Sequence, residues 1–547
     1  MRKKYNTLLV VLVAVLAVAL LSWFLPTTYF DGSSFVQNER TFVGIAELLS
    51  YPIYSYYNFI YILVYLLLIG GMYAVLNKVG AYKVIVEKVA KKFERKGMLF
   101  VTIVVCLLAA ITAFTGYTFE ALVFVPFIAA VTYAIGYDKV STALVSVGGI
   151  VSGVIGNLFS VQIAGTLNDI VGAEFLSLWI PKVALLVVSA GLVILNVYLI
   201  HRKHTSLFNK VEKNMFVPTT TSKAKVWPLA TLMILYLLTM ILSTVNWSGA
   251  FGINAFETVN SFLGSTLLFN RYLLFVVFGS IIIYYVFKYS FNKRKLGKKS
   301  FKEVCGIKGI VFTCVSAFFM LVIIAQCILE DVTHVTTVFT KVYNFLGLNK
   351  IYITSLIGNT VAFGQWTYNE YIVIQLLFIL LVSIIYRETI EETVTTVFDG
   401  FKNILYPTLV CMLAYAVLII TSNHPTLMYA LKPLLELTDG LNNLTLSFVT
   451  FISGLCNTDF IYYNYGVFTL EYVTANITDT TLYPLTVIIT QSMYGLAMLV
   501  APTSIPLLFN LSSLDIKYGE WLKAIWKLFI ELLAVCFIAF VIILLVI

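Results

Sequence analysis

Two acidic residues interrupt apolar stretches of this sequence. Glu120 closes a polar turn that begins at Thr115, and Asp459 closes a second polar turn that begins at Asn457. A charge at the centre of a bilayer costs on the order of 3 kcal/mol on insertion scales and usually has a function. We therefore predict that Glu120 and Asp459 bind the coupling ion, either Na⁺ or H⁺. The alternative is a carboxyl group at the membrane interface or in a salt bridge.

Each polar turn is followed by an apolar segment that is broken near its middle. The first segment contains Gly153, Gly156 and Asn157, and the second contains Gly495 and Pro502. Proline lacks a backbone donor and glycine lowers helix preference, so both segments can expose free backbone groups. Such breaks can hold a substrate near the membrane midplane. Glycine and proline also permit close packing and kinks, but their paired placement favours a binding site.

The polar residues around these turns and breaks are predicted to bind a substrate. For any single one, a hydrogen bond between two helices is an equally good explanation. They are Thr115, Gly116, Thr118, Gly156, Asn157, Ser160, Gln162, Asn457, Thr458, Gln491, Ser492, Gly495, Pro502, Thr503 and Ser504. His334 and His424 fall in predicted external loops and are expected to be solvated. Glu531 is expected to snorkel or to meet Lys527 one turn away.

The elements that position these residues must be membrane helices. Of the 547 residues, 60% are hydrophobic and 12% are charged. Runs long enough to cross the bilayer recur from Leu8 onward, without the short alternating segments of a barrel. The predicted fold class is therefore an all-α polytopic membrane protein. The net charge is +9. We assign the lysines and arginines that cause it to loops between spans, so no nucleic-acid partner is expected.

The distribution of lysine and arginine predicts a multi-pass protein of the cytoplasmic membrane with a cytoplasmic N-terminus. The first apolar run lacks a cleavage pattern and is interpreted as an uncleaved span, and residues 78–96 form an amphipathic surface helix. Eleven spans are expected near residues 8–26, 57–77, 140–165, 177–200, 227–245, 270–289, 308–330, 371–387, 404–422, 482–510 and 525–547. Two re-entrant hairpins are expected at 98–136 and 445–470. Residues 350–365 are interpreted as a re-entrant or packed external segment.

The order of these elements predicts an internal repeat. Gly116 and Asn457 are 341 residues apart, and Asn157 and Thr503 are 346 residues apart. An odd number of intervening spans inverts the second copy, as in alternating-access carriers. We predict a first inverted repeat at 1–205 with its broken helix at 140–165, linking spans at 206–345, and a second repeat at 346–547 with its broken helix at 482–510.

The chain resembles the anaerobic C4-dicarboxylate carrier (DcuC) and YfcC-like family of the ion transporter superfamily. The matching stretches are 70–71, 78–81, the turn ending in Glu120, 136–138, 153–156, 502–504 and 518–523. The resemblance implies two scaffold and transport repeats, an elevator mechanism and a homodimer. The chain departs from the family's usual residues at 157–161, 455–459 and 494–498, where several small polar ligands are replaced. The family's substrate therefore does not transfer automatically.

These observations predict a secondary transporter of a small carboxylate-bearing metabolite, either a dicarboxylate or an amino acid, coupled to an ion or exchange gradient. The expected partners are the substrate, the coupling ion and the lipid bilayer. The alternative is a channel or a membrane assembly protein without transport activity. No nucleotide-binding loop, metalloprotease motif or soluble domain is present, so neither an enzyme nor a cofactor is expected.

Overall fold

The structure is a computed structural model of the chain. It describes residues 6–32, 34–174, 176–204, 218, 224–243, 245, 247–253, 271–296, 300–328, 345, 364, 366–436, 442–459, 470–472, 474–477 and 479–547. These residues form two compact units. The first unit comprises residues 1–252 and 363–547, and the second comprises residues 253–362. Residues 350–363, which include most of the segment left open above, and His334 lie outside the described part.

The first unit begins with apolar helices and one small sheet. Strands β1 (Thr28–Phe30) and β2 (Phe35–Gln37) pair antiparallel, an element that the sequence analysis did not anticipate. The helices up to the long connection are α1 (Asn6–Phe24), α2 (Ile45–Asn58), α3 (Ile60–Lys78), α4 (Gly80–Phe93), α5 (Gly97–Thr115), α6 (Val125–Ile135), α7 (Lys139–Ile155), α8 (Thr166–Val171), α9 (Trp179–His204), α10 (Val226–Leu242) and α11 (Trp247–Phe251).

The second unit contains two long helices, α12 (Arg271–Leu296) and α13 (Phe301–Ile328), which pack against each other. The rings of Phe278 and Phe319 stack with centroids 4.9 Å apart. Gly306, with φ of 69°, kinks α13 near its start.

The first unit continues with the helices of the C-terminal half. They are α14 (Tyr368–Tyr386), α15 (Ile390–Asn423), α16 (Thr426–Glu436), α17 (Asn443–Cys456), α18 (Tyr483–Val500), α19 (Ile505–Ser513) and α20 (Tyr518–Val546). Helix α15 begins well before the predicted span at 404–422. Thr389 caps it by accepting a hydrogen bond from the backbone of Glu392, so the helix extends through polar turns that an apolar-run prediction does not count. Helix α20 likewise begins at Tyr518 rather than 525.

Within the described residues, nine helical segments are long and apolar enough to cross a membrane. Shorter apolar helices, including α6, α7, α10 and α17, accompany them. The prediction of an all-α polytopic membrane protein is confirmed at this level. The amphipathic helix predicted at 78–96 corresponds to α4, which buries Tyr82, Val86 and Ala90.

Glycines set the closest helix contacts of the first unit. A Cβ atom added to Gly70 in α3 would lie 2.6 Å from the carbonyl oxygen of Gly400 in α15. Gly71 faces Val397, whereas Phe59, earlier in the chain, stacks on Tyr415 with ring centroids 4.2 Å apart. The two helices therefore run antiparallel, and small residues let their backbones approach closely.

Candidate functional site

The first break separates α7 from a π-helical turn, Val161–Gly165. Ser160 caps this turn, because its Oγ accepts from the backbone N–H groups of Ile163 at 3.0 Å and Ala164 at 3.3 Å. Asn157 ties the break to α5: its Nδ2 donates to the carbonyl of Thr112 at 3.0 Å, and its Oδ1 accepts from Ser160 at 2.7 Å. Both side chains are fully buried. Their polar atoms stabilise the local structure of the break.

The first polar turn packs directly against this break. Gly116 ends α5 with φ of 78°, and a Cβ atom there would lie 2.9 Å from the Cβ of Ser160. Thr115 donates to the carbonyl of Ile111 at 2.6 Å, so its hydroxyl is engaged within α5. Thr118 is buried in the same turn. The turn and the break are therefore in direct contact and tightly packed.

The second break lies between α18 and α19, at Ala501–Ser504. Two side chains of α20 donate hydrogen bonds to the backbone carbonyls that end α18. Trp521 Nε1 donates to the carbonyl of Leu499 at 2.8 Å, and the Tyr518 hydroxyl donates to the carbonyl of Val500. Thr503 donates to the carbonyl of Leu455 at the end of α17, at 2.9 Å. Pro502 is half-buried within the break.

Ser504 is fully buried at the start of α19, and its Oγ has no hydrogen-bond partner. It also forms no side-chain cap on that helix. Of the residues in the second break, Ser504 is the one whose polar side-chain atom remains available to a ligand.

Gln491 connects the two broken helices. Its Nε2 donates to the carbonyls of Ile155 at 3.1 Å and Asn157 at 3.2 Å, and Ser492 makes a longer bond of 3.4 Å to Ile155. Gly495 permits the contact, since a Cβ atom there would lie 2.7 Å from the Cγ1 of Ile155. Gln491 and Ser492 therefore each form a hydrogen bond between two helices. For any single polar residue, such a bond was the alternative to substrate binding.

The carboxyl groups of Glu120 and Asp459 are buried and close enough to interact electrostatically. Glu120 is 1% exposed, and neither of its carboxyl oxygens has a hydrogen-bond partner. Gln162 faces this carboxyl without forming a hydrogen bond of normal geometry. The Tyr415 hydroxyl donates to Asp459 Oδ2 at 2.9 Å. Two acidic groups that are 339 residues apart in the sequence are thus both buried and within electrostatic range of each other.

The turn before Asp459 is held by its own side chain. Asn457 Oδ1 accepts from the backbone N–H of Asp459 at 3.0 Å, and Asn457 Nδ2 donates to the carbonyl of Asp459 at 3.2 Å. Thr458 is buried between them. Asn457 therefore fixes the backbone that carries the carboxyl group.

Tyrosines surround the acidic pair. Tyr65 of α3 donates to the backbone carbonyl of Glu120 at 2.8 Å. Tyr368 of α14 lies near both carboxyl groups, and its hydroxyl has no hydrogen-bond partner. Tyr368 stacks on Phe119 with ring centroids 5.7 Å apart. The aromatic shell excludes water, so a negative charge within it is poorly solvated.

No metal site is evident from residue types. In the described part of the chain, no group of three or more His, Cys, Asp or Glu side chains is placed to hold a metal ion. A Na⁺ ion at the acidic pair would need hydroxyl or carbonyl oxygens in addition to Glu120 and Asp459, and Tyr368 has an unpartnered hydroxyl near both.

Two predictions outside the site are decided by the structure. His424 was expected to be solvated, and this is wrong: it is 7% exposed, with Nδ1 2.7 Å from Thr41 Oγ1 and Nε2 2.7 Å from the Tyr51 hydroxyl. Residues of the N-terminal part cover it, which a local sequence pattern does not reveal. Glu531 does meet Lys527, at 3.5 Å.

Sequence reasoning missed several polar residues in the protein interior. Tyr415, Tyr368 and Gln375 are buried in helices that were interpreted only as spans, and Lys182 is buried near the start of α9. The available signal was the occurrence of polar side chains on the buried stripe of an apolar helix. Gln375 is the clearest case, because its amide faces the Tyr236 hydroxyl and neither amide atom forms a hydrogen bond of normal geometry.

Apolar helices of spanning length define this protein as a multi-pass membrane protein. The chain belongs to the DcuC family of C4-dicarboxylate anaerobic carriers, whose family model matches residues 5–346 and 325–546. The resemblance drawn from the sequence is confirmed. The family consists of carriers and not of enzymes. No curated protein and no solved structure matches the chain significantly.

Proposed function

We propose that this protein is a secondary transporter that moves a C4-dicarboxylate across the cytoplasmic membrane by alternating access. The family supplies the substrate class. The observation that carries the proposal is the contact between the two broken helices, where Gln491 of α18 binds the carbonyls that close α7. Irregular backbone at membrane depth occurs where it lines a cavity or is buried in protein, and paired breaks are typical of carrier sites.

An inverted repeat accounts for the way helices pair in the first unit. In this proposal α3 corresponds to α15 and α7 corresponds to α18. Each pair is antiparallel, as a two-fold axis in the membrane plane requires. Tyr65 of α3 contacts Glu120 and Tyr415 of α15 contacts Asp459, so corresponding helices support corresponding acids. This proposal includes the domain limits 1–205, 206–345 and 346–547 and the hairpins at 98–136 and 445–470.

Glu120 and Asp459 are proposed to couple transport to an ion gradient, of Na⁺ or H⁺. An ionised Glu120 that accepts no hydrogen bond of normal geometry, within electrostatic range of a second carboxyl, is unfavourable in a buried site. Binding of a cation or a proton relieves this cost, which links the ion to the conformation that encloses the site. The substrate is proposed to contact the polar turns and breaks, with Ser504 as the unpartnered hydroxyl there.

The movement is proposed to be of the elevator type in a homodimer, with the N-terminus cytoplasmic. The contact between α7 and α18 supports the elevator movement, because helices joined at their breaks move as one body. Helices α3 and α15, joined at Gly70 and Gly400, would form the stationary scaffold.

Counterflow in proteoliposomes tests the transport activity. Vesicles loaded with unlabelled succinate should accumulate labelled succinate from outside, and an amino acid should not replace it. Ion conduction that does not depend on substrate, with no counterflow, would contradict the proposal and favour a channel.

The coupling residues are tested by Glu120→Gln and Asp459→Asn, with Na⁺ and proton gradients varied separately. Each variant should change the ion or pH dependence of uptake. The exposed residue Asp399, paired with Lys402 at 2.8 Å, offers the control Asp399→Asn, which should behave like the unmodified protein. Unchanged coupling in both acidic variants would remove this assignment.

A further inference from the structure

Lys182 occupies a position where the fold predicts an apolar residue. Helix α9 packs on α7 through a stripe in which Leu186 abuts Gly156 and Val193 abuts Gly148. At about 100° per residue, Lys182 lies within about 40° of both on the helical wheel. It is therefore on the face of α9 that is turned toward α7.

The position of Lys182 along α9 is beside the first break. A Cβ atom on Gly156 would lie 2.6 Å from the Cα of Leu186, so the backbone of α9 touches α7 where α7 ends. Since the two helices are antiparallel, Lys182, about 6 Å further toward the start of α9, is level with the residues that follow Gly156. These are the residues of the break itself.

Lys182 is almost completely buried and has no partner among the residues that the structure describes. It is 1% exposed, and within the described residues its ammonium group forms no ion pair and no hydrogen bond. The nearest acidic residues in the sequence, Asp169 and Glu174, are exposed. A snorkelling lysine keeps its ammonium group in water, whereas only 1% of Lys182 is exposed. An unpaired buried charge is unfavourable, and within a membrane protein such a residue is usually functional.

We propose that Lys182 binds one carboxylate of the transported dicarboxylate. This inference rests on the proposed function and adds a specificity residue to it. The first break can contribute only neutral dipoles, since Asn157 and Ser160 are engaged with each other and with backbone. A dianion needs a compensating charge when it leaves water, and a lysine ammonium supplies one through a charge-assisted hydrogen bond.

The occupant is the substrate rather than a lipid. Ile180 and Val187, on a different face of α9, are 64% and 65% exposed and form the surface available to lipid. Lys182 points away from that surface and toward α7. A phosphate headgroup would have to pass between packed helices to reach it.

The test compares the full-length protein with Lys182→Met in proteoliposomes of zwitterionic lipid, using labelled succinate. Competition by unlabelled succinate and by its monomethyl ester measures the preference for the second carboxylate. The variant should bind succinate between about tenfold and a hundredfold more weakly, with little change for the ester. Lys402→Met, which removes an exposed lysine, should keep the preference.

Thermal unfolding distinguishes a binding lysine from a structural one. Methionine fits a buried apolar position, so the unliganded Lys182→Met protein should be at least as stable as the unmodified protein, whereas the stabilisation by succinate should shrink. A less stable variant with an unchanged succinate to ester ratio would overturn the proposal. If the methionine variant does not fold, Lys182→Arg keeps the charge and should keep the preference; loss of preference in that variant would also overturn it.

Two further results separate the possible failures. A defect that appears only in vesicles containing anionic lipid would assign Lys182 to a lipid phosphate and overturn the proposal. If the unmodified protein shows no counterflow, the proposed function fails by itself. Stabilisation by succinate, compared between the unmodified protein and Lys182→Met, then decides the role of the lysine independently: equal stabilisation contradicts it.

Discussion

Replacing Gln491 by leucine should weaken the connection between the two broken helices. The change removes the amide that donates to Ile155 and Asn157. The Ile155 carbonyl keeps the bond from Ser492, whereas the Asn157 carbonyl loses its donor. A neutral hydrogen bond contributes a net of about 0.5–1.5 kcal/mol, and an unpaired buried acceptor costs about 1–3 kcal/mol.

One effect opposes this loss. Gln491 Oε1 is buried without a partner, and leucine removes that unfavourable atom. Combining the terms, we expect Gln491→Leu to lower the free energy of unfolding by roughly 1–3 kcal/mol. Because the bond joins two proposed substrate-binding segments, counterflow should also slow.

The matched control is Gln375→Leu in α14. Gln375 and Gln491 are both fully buried, but the amide of Gln375 faces the Tyr236 hydroxyl without a hydrogen bond of normal geometry. The same substitution there removes no hydrogen bond of normal geometry, so stability should be unchanged or higher. Thermal unfolding in one detergent, followed by tryptophan fluorescence, measures both variants. Equal shifts for the two would refute the reasoning, since hydrogen bonding is the feature that separates them.

Two other predictions concern the scaffold and the acidic pair. Gly70→Ala places a Cβ atom 2.6 Å from the carbonyl oxygen of Gly400 and should cost about 1–3 kcal/mol by overpacking. Gly191→Ala, with open space around it, should leave thermal stability unchanged or raise it by up to about 1 kcal/mol; a similar loss in both would contradict the packing argument. Tyr415→Phe removes a donor to Asp459 and should alter the ion dependence of uptake in the same sense as Asp459→Asn; ion dependence like that of the unmodified protein would show that the hydroxyl has no part in coupling.

Local features of the fold could be predicted because they depend on neighbouring residues. Apolar runs identify most spanning helices, and Gly156 and Pro502 mark the breaks because a helix cannot continue easily through them. The ends of helices were less predictable. Helix α15 begins at Ile390 because Thr389 caps it, and hydropathy does not register a capped polar turn.

The partners of the site residues were less predictable still. The sequence alone left two roles open for Gln491, and only the tertiary structure places its amide against carbonyls more than 330 residues away. His424 is covered by Thr41 and Tyr51, which are equally remote in the chain. Lys182 lies in the first turn of an apolar helix. A lysine at the membrane interface would occupy the same position, so the sequence alone does not distinguish a buried lysine from an interfacial one.

The sequence by itself determined the class of protein, the two polar turns and the two breaks, since hydropathy and helix preference act over a few residues. The tertiary structure decided which backbone groups at the breaks are already bonded, which acids lie together and which polar side chains are buried without a partner. Those properties depend on helix packing, because a hydrogen bond or a buried charge is defined by atoms within a few ångströms of it, wherever they lie in the chain.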